Sequence, residues 1–159
     1  MGKSELRESL GLLLVFLGLV FVGLEMRQNT QMMQAQVRNA ISERVIEVNG
    51  WLATSEALAE ATATTADEGL AGLSRQQEMQ MVGWTGGAFR AWENEHYQNK
   101  VGLFTDAEFS ARKEMWRRQL LVSPLREAYW DQWERFSDSF APDFRAEIDA
   151  IMEEARQPQ

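Results

Sequence analysis

The chain has 159 residues, with 16 basic and 24 acidic side chains and a net charge of −8. That acidity argues against phosphate-backbone binding to nucleic acid, which calls for a basic stripe, and against attraction to anionic lipid by charge alone. With no cysteine, disulfides, thiolate metal sites and thiol nucleophiles are excluded.

The first element is an apolar run. Ser9 to Leu24 carries no charge; as a helix it spans about 24 Å, somewhat short of the roughly 30 Å hydrocarbon core. Arg7 and Arg27 can snorkel to lengthen it. The segment Glu25-Met26-Arg27-Gln28-Asn29 has no small-x-small cleavage site, so a retained anchor is expected over a signal peptide. The run is apolar all round, unlike a surface helix of a soluble protein. Lys3 and Arg7 before it nearly balance Arg27, Arg38 and Arg44 after it, so the positive-inside count does not orient it. Gly11 and Gly18 share one face, a weak signal for pairing of two anchors.

Next, Met33, Val37, Ile41, Val45, Val48 and Leu52 recur at helical spacing, and no proline or glycine interrupts residues 24–49. The anchor is therefore predicted to run straight into this helix. From Thr54 to Thr65 the threonines make a loop as expected as a short helix. Ser74 with Gln77 forms a capping box. It opens a helix with Met81, Trp84, Ala88, Phe89 and Trp92 inward, reaching about Val101 and stopped by Gly102. The glycines at 83, 86 and 87 inside it suggest close approach of another helix, or a bend. Thr105 with Glu108 is a second capping box, for a helix carrying Phe109, Met115, Trp116, Leu120 and Leu121. Pro124 begins the next, with Leu125, Tyr129, Trp130, Trp133 and Phe136, and Ala141-Pro142 begins the last, with Phe144, Ile148, Ile151 and Met152. No segment alternates as a strand would. The expected architecture is all-α: tail and transmembrane anchor over residues 1–27, a soluble helical bundle over 28–156, and a flexible, fraying tail over 157–159.

Several stretches together resemble a widespread group of uncharacterised bacterial single-pass membrane proteins. Glu25-Met26-Arg27-Gln28-Asn29-Thr30 is similar to that group's QIRQNT-type junction. Phe89-Arg90-Ala91-Trp92-Glu93-Asn94-Glu95-His96-Tyr97-Gln98, followed by Gly102-Leu103, is similar to its FxxxEN-x-x-YQ…GL pattern. Trp116, Ser123-Pro124 with Arg126 and Trp130, and Phe140-Ala141-Pro142-Asp143-Phe144-Arg145 with Asp149 complete the order. The resemblance implies the helical fold, attachment to the bacterial inner membrane and a cytoplasmic soluble domain. It implies no activity. Lys3 and Arg7 depart from the group's weakly charged N-tail.

Three constellations are candidates for a site. Glu93, Asn94, Tyr97 and Gln98, with Arg126 or Arg145, could form a polar network, either fixing helix register or binding a ligand. Arg112, Lys113, Arg117 and Arg118 form a basic cluster, read as a solvated face with intrahelical pairs or as a contact for a partner or anionic lipid. Glu93 and His96 have metal-ligand spacing, but a di-iron bundle needs a second such motif, and His96 is the only histidine, so no metal is expected. The six tryptophans fall largely on apolar stripes and are expected in the core. No phosphate loop, dinucleotide fingerprint, nucleophile elbow, zincin motif or EF-hand is present. The expected role is a non-enzymatic, cofactor-free membrane-anchored interaction or scaffold protein. Its partners would be the bilayer and another membrane or membrane-proximal protein, or a second copy, and not nucleic acid. The alternative is a small-molecule binding domain with a pocket between helices.

Overall fold

A computed structural model describes residues 2–156. Among them are six α-helices and no strand. The chain divides into two compact units, Met1–Ile41 and Ser42–Gln159. Helix α1, Lys3–Thr54, begins in the first and ends in the second. Its apolar N-terminal part is long and apolar enough to cross a membrane, and none of that window is buried in protein. The tail expected to fray at 157–159 lies outside the described residues.

The second unit holds five further helices: α2 (Glu56–Glu68), α3 (Arg75–Lys100), α4 (Asp106–Leu121), α5 (Arg126–Phe136) and α6 (Pro142–Arg156). Both expected capping boxes form. Ser74 and Gln77 exchange side-chain and backbone hydrogen bonds at the start of α3, and Thr105 and Glu108 do so at α4, satisfying amides that a helix start otherwise leaves unpaired. Gly102, at φ 77°, stops α3; the amide of Leu103 donates back to the Gln98 carbonyl at 3.0 Å, a closure that needs the left-handed residue glycine supplies.

The Thr54–Thr65 stretch, expected as loop or helix in equal measure, is mostly helix. Ser55 caps α2 by accepting from the Leu58 amide at 3.3 Å. Thr62 and Thr65 donate to the carbonyls of Ala59 and Ala61, both at 2.8 Å, so their hydroxyls find partners inside the helix instead of competing with it. Of the glycines in α3, only Gly86 meets a neighbour: a Cβ there would lie 3.0 Å from the Gln132 amide nitrogen on α5. Gly83 and Gly87 face nothing within 4 Å, so close approach accounts for one of the three.

The main core gathers Phe89 and Trp92 from α3, Trp116 and Leu120 from α4, Tyr129 and Trp133 from α5, Phe140, and Phe144, Ile148, Ile151 and Met152 from α6. A second cluster joins Ala61, Met81 and Ala128. The aromatic rings contact edge-to-face and stacked; Trp92, for example, stacks between Trp116 and Tyr129 at 5.9 and 5.4 Å. Trp92, Trp116 and Trp133 are buried, as the stripes predict. Three indoles also find acceptors: Trp116 donates to Glu95 at 3.0 Å, Trp130 to the Leu120 carbonyl at 2.8 Å and Trp133 to Asp149 at 2.7 Å. Such anchoring lets a large ring be buried without stranding its N–H.

Burial in this core pushes the Tyr129 phenol up to about 12. A raised folded-state value means the neutral phenol is the favoured form. The resulting stability is present below about pH 10 and is lost as pH rises through about 12. The absorbance difference near 295 nm between wild type and Tyr129→Phe should therefore show an ionisation midpoint near 12; a midpoint near 10 in the folded protein would contradict this burial.

Candidate functional site

Helix α3 presents Arg90, Glu93, Asn94, Tyr97 and Lys100 along one side, at the three- and four-residue spacing that aligns side chains on a helix. The start of α6 brings Ala141, Asp143 and Phe144 to the same place. Together with His96 they line a notch of about 350 Å³.

At one end of the notch Glu93 ties α3 to the start of α6. One carboxylate oxygen accepts the Ala141 amide at 2.8 Å, and the other accepts Arg90 at 2.8 Å. Arg90 in turn donates to the Ser139 hydroxyl at 2.8 Å and the Ser139 carbonyl at 3.2 Å, and lies over the Phe140 ring at 4.0 Å. Of the residues expected in a polar network, Glu93 is the one that these hydrogen bonds engage, and its arginine is Arg90. Arg145 instead pairs with Asp138 at 2.8 Å, and Arg126 is exposed at the first residue of α5. Neither lines the notch. The physical reason is local: Arg90 sits one helical turn before Glu93, and the turn before α6 supplies the acceptors it also needs. Glu93 is partly exposed and Arg90 half-exposed, so solvent screens the pair. Glu93→Ala should lower unfolding stability by about 1–2 kcal/mol, with Glu93→Gln closer to wild type. Chemical denaturation in mild detergent measures both, and an unchanged midpoint for Glu93→Ala would remove the structural role.

At the other end, Asp143 forms an ion pair with Lys100 and accepts the Phe144 amide at 3.0 Å. The hydrogen bond from Lys100 is the main reason its carboxyl is held down to about 2. His96 packs its ring between Phe109 and Phe144, at 6.2 and 5.8 Å, with Nε2 3.5 Å from Asp143. Neither ring nitrogen has a hydrogen-bond partner. Asn94 lines the notch too, while Gln98 lies outside the lining.

The buried carboxylate is Glu95, 5 % exposed, which the sequence reading passed over. It pairs with Arg112 and accepts the Trp116 indole N–H at 3.0 Å, joining α3 to α4. A signal for it was present: Thr85, Phe89 and Trp92 lead by steps of four and three to position 95, so the inward stripe continues through a glutamate.

The basic cluster on α4 is largely committed within the protein. Arg112 meets Glu95, Lys113 meets Glu147 on α6, and Arg117 meets Glu154 on α6 and Glu114 on α4. The intrahelical pairing expected of this cluster holds for Arg117 and Glu114 alone; the other pairs run between helices, because acidic residues of α3 and α6 face α4. Arg118 is exposed. A charge already balanced at contact distance attracts anionic lipid weakly, which counts against these residues as a lipid patch.

Among the described residues, no three His, Asp or Glu side chains converge on a metal position. No family model, curated protein or solved structure matches the chain.

Proposed function

We propose that this is a membrane-anchored helical interaction protein that works through contacts and not chemistry. The observation that supports this reading best is α1: an apolar helix of membrane-spanning length, with none of its apolar window buried in protein, running without a break into a polar-flanked helix. Such a surface is costly in water and favourable in lipid. On this reading the bilayer is the bacterial cytoplasmic membrane and the helical bundle lies in the cytoplasm, in line with the resemblance of the junction at Glu25–Thr30. The partner is another membrane or membrane-proximal protein, or a second copy. The full-length chain should stay with membranes through alkaline carbonate extraction and keep its full mass. Release by carbonate, or recovery of a species lacking the first two dozen residues, would overturn the anchor. Protease added to inside-out vesicles should digest the bundle, which tests the orientation separately.

A second reading has one specific observation in its favour. Arg90, Glu93 and Tyr97 line one notch with further polar groups around it, as a small-molecule binding domain requires.

A further inference from the structure

The notch between α3 and the start of α6 carries both signs of charge in balance. Arg90 and Lys100 supply two cations, Glu93 and Asp143 two carboxylates, and the partners are matched as Arg90 with Glu93 and Lys100 with Asp143. A ligand of one charge would leave an excess of that sign among groups that already cancel. A ligand with adjacent positive and negative groups can interleave with them, which leaves no charge stranded.

The groups with hydrogen-bonding capacity to spare are arranged for this. Lys100 has three N–H donors and places one on Asp143. Tyr97, 58 % exposed, and the exposed Asn94 both line the notch and bring a hydroxyl and an amide to it. Asp143 keeps lone pairs beyond those taken by Lys100 and the Phe144 amide. His96 lies alongside, its two buried ring nitrogens making no hydrogen bond and Nε2 3.5 Å from Asp143. Ala141 and the Tyr97 ring give the wall an accessible apolar portion. The volume of about 350 Å³ lies at the small end of ligand sites, the scale of a single amino acid.

We propose that this notch binds a free α-amino acid with an apolar side chain, its carboxylate on Lys100 and Asn94, its ammonium on Asp143, and its side chain against Ala141 and the Tyr97 ring. This rests on the second reading above, that the bundle is a binding domain, and names its ligand class. It is independent of the membrane anchor, so a failure here leaves the carbonate test untouched.

His96 is the only histidine, so a full-length chain labelled with ¹³C-histidine gives one ring signal located in the notch. In mild detergent at constant ionic strength, that signal is followed while leucine, 4-methylpentanoate or 3-methylbutylamine is added. These share a branched apolar body and differ in charge. Leucine should shift the signal saturably, and each singly charged analogue should bind at least about tenfold more weakly, as loss of a charge-assisted hydrogen bond implies. Lys100→Met should lower the affinity for leucine relative to the amine by about tenfold or more, because it removes the partner of the carboxylate and frees Asp143 equally for either ammonium. Because Lys100 is exposed, its melting midpoint should match wild type, which separates lost binding from lost fold. The proposal is overturned by a leucine shift that does not saturate, by equal binding of either singly charged analogue, or by a Lys100→Met variant that keeps the wild-type preference for leucine over the amine.

Discussion

Glu95→Ala should destabilise the helical bundle by about 3–5 kcal/mol, one of the two largest single-site effects expected in this protein. The carboxylate is almost fully enclosed and Arg112 is itself mostly covered. Removing the carboxylate leaves a guanidinium with no counter-charge and the Trp116 indole N–H with no acceptor. Each is a group taken from water and then deprived of the partner that compensates. Glu95→Gln should be milder, since the amide oxygen can still accept from Trp116. The double variant Glu95→Ala with Arg112→Met should recover part of the loss, because the stranded charge is gone. Guanidinium unfolding of the full-length chain in detergent, followed by tryptophan fluorescence, measures all three. An equal loss in the single and double variants would show that cavity formation, not the stranded charge, sets the cost.

Trp116→Ala should cost about as much, roughly 3–5 kcal/mol, for a different reason. Trp116 is fully buried and touches Trp92, Phe109 and Phe144 at ring separations of 5.9, 5.6 and 6.0 Å. Its removal leaves a hole bounded by rings from three helices, and large flat side chains fixed by their own neighbours cannot collapse to fill it. Trp116→Phe should retain most of the packing and lose the hydrogen bond to Glu95, so its cost should be a fraction of the alanine variant's. Because Trp116 and Glu95 touch, the two alanine substitutions together should cost less than their separate effects added. Strict additivity in the double variant would mean that the hydrogen bond between them contributes nothing to stability.

Much of the fold was legible in the residues. Ser74 with Gln77 and Thr105 with Glu108 announced two helix starts because the caps are local: four consecutive residues contain both partners of each hydrogen bond. The stripe of Phe144, Ile148, Ile151 and Met152 announced the inner face of α6 for the same reason. Helix α2 was less legible. Its threonines weaken propensity, and their back-bonding to carbonyls one turn earlier becomes evident only once the helix exists.

The site was legible in its residue types and not in its pairings. Glu93, Asn94 and Tyr97 were singled out from the sequence, and they do share one notch. The choice of Arg90 over Arg126 and Arg145, and of Glu95 over Glu93 as the buried carboxylate, depended on which helices pack against α3 and at what rotation. A helical pattern specifies a face; it does not specify the distant residues that face will meet.

The sequence by itself therefore determined the local and periodic features of this protein: an uncharged apolar segment of membrane length, helices bounded by caps, prolines and Gly102, and aromatic stripes that must leave water. Each is fixed within one or two turns of chain, where spacing and side-chain chemistry suffice. Tertiary structure alone decided the long-range partners: Arg112 on Glu95, the Ala141 amide on Glu93, Lys113 and Arg117 on the acids of α6. Those residues lie far apart in sequence, and ion pairs form with whichever opposite charge the packed helices bring within a few ångströms.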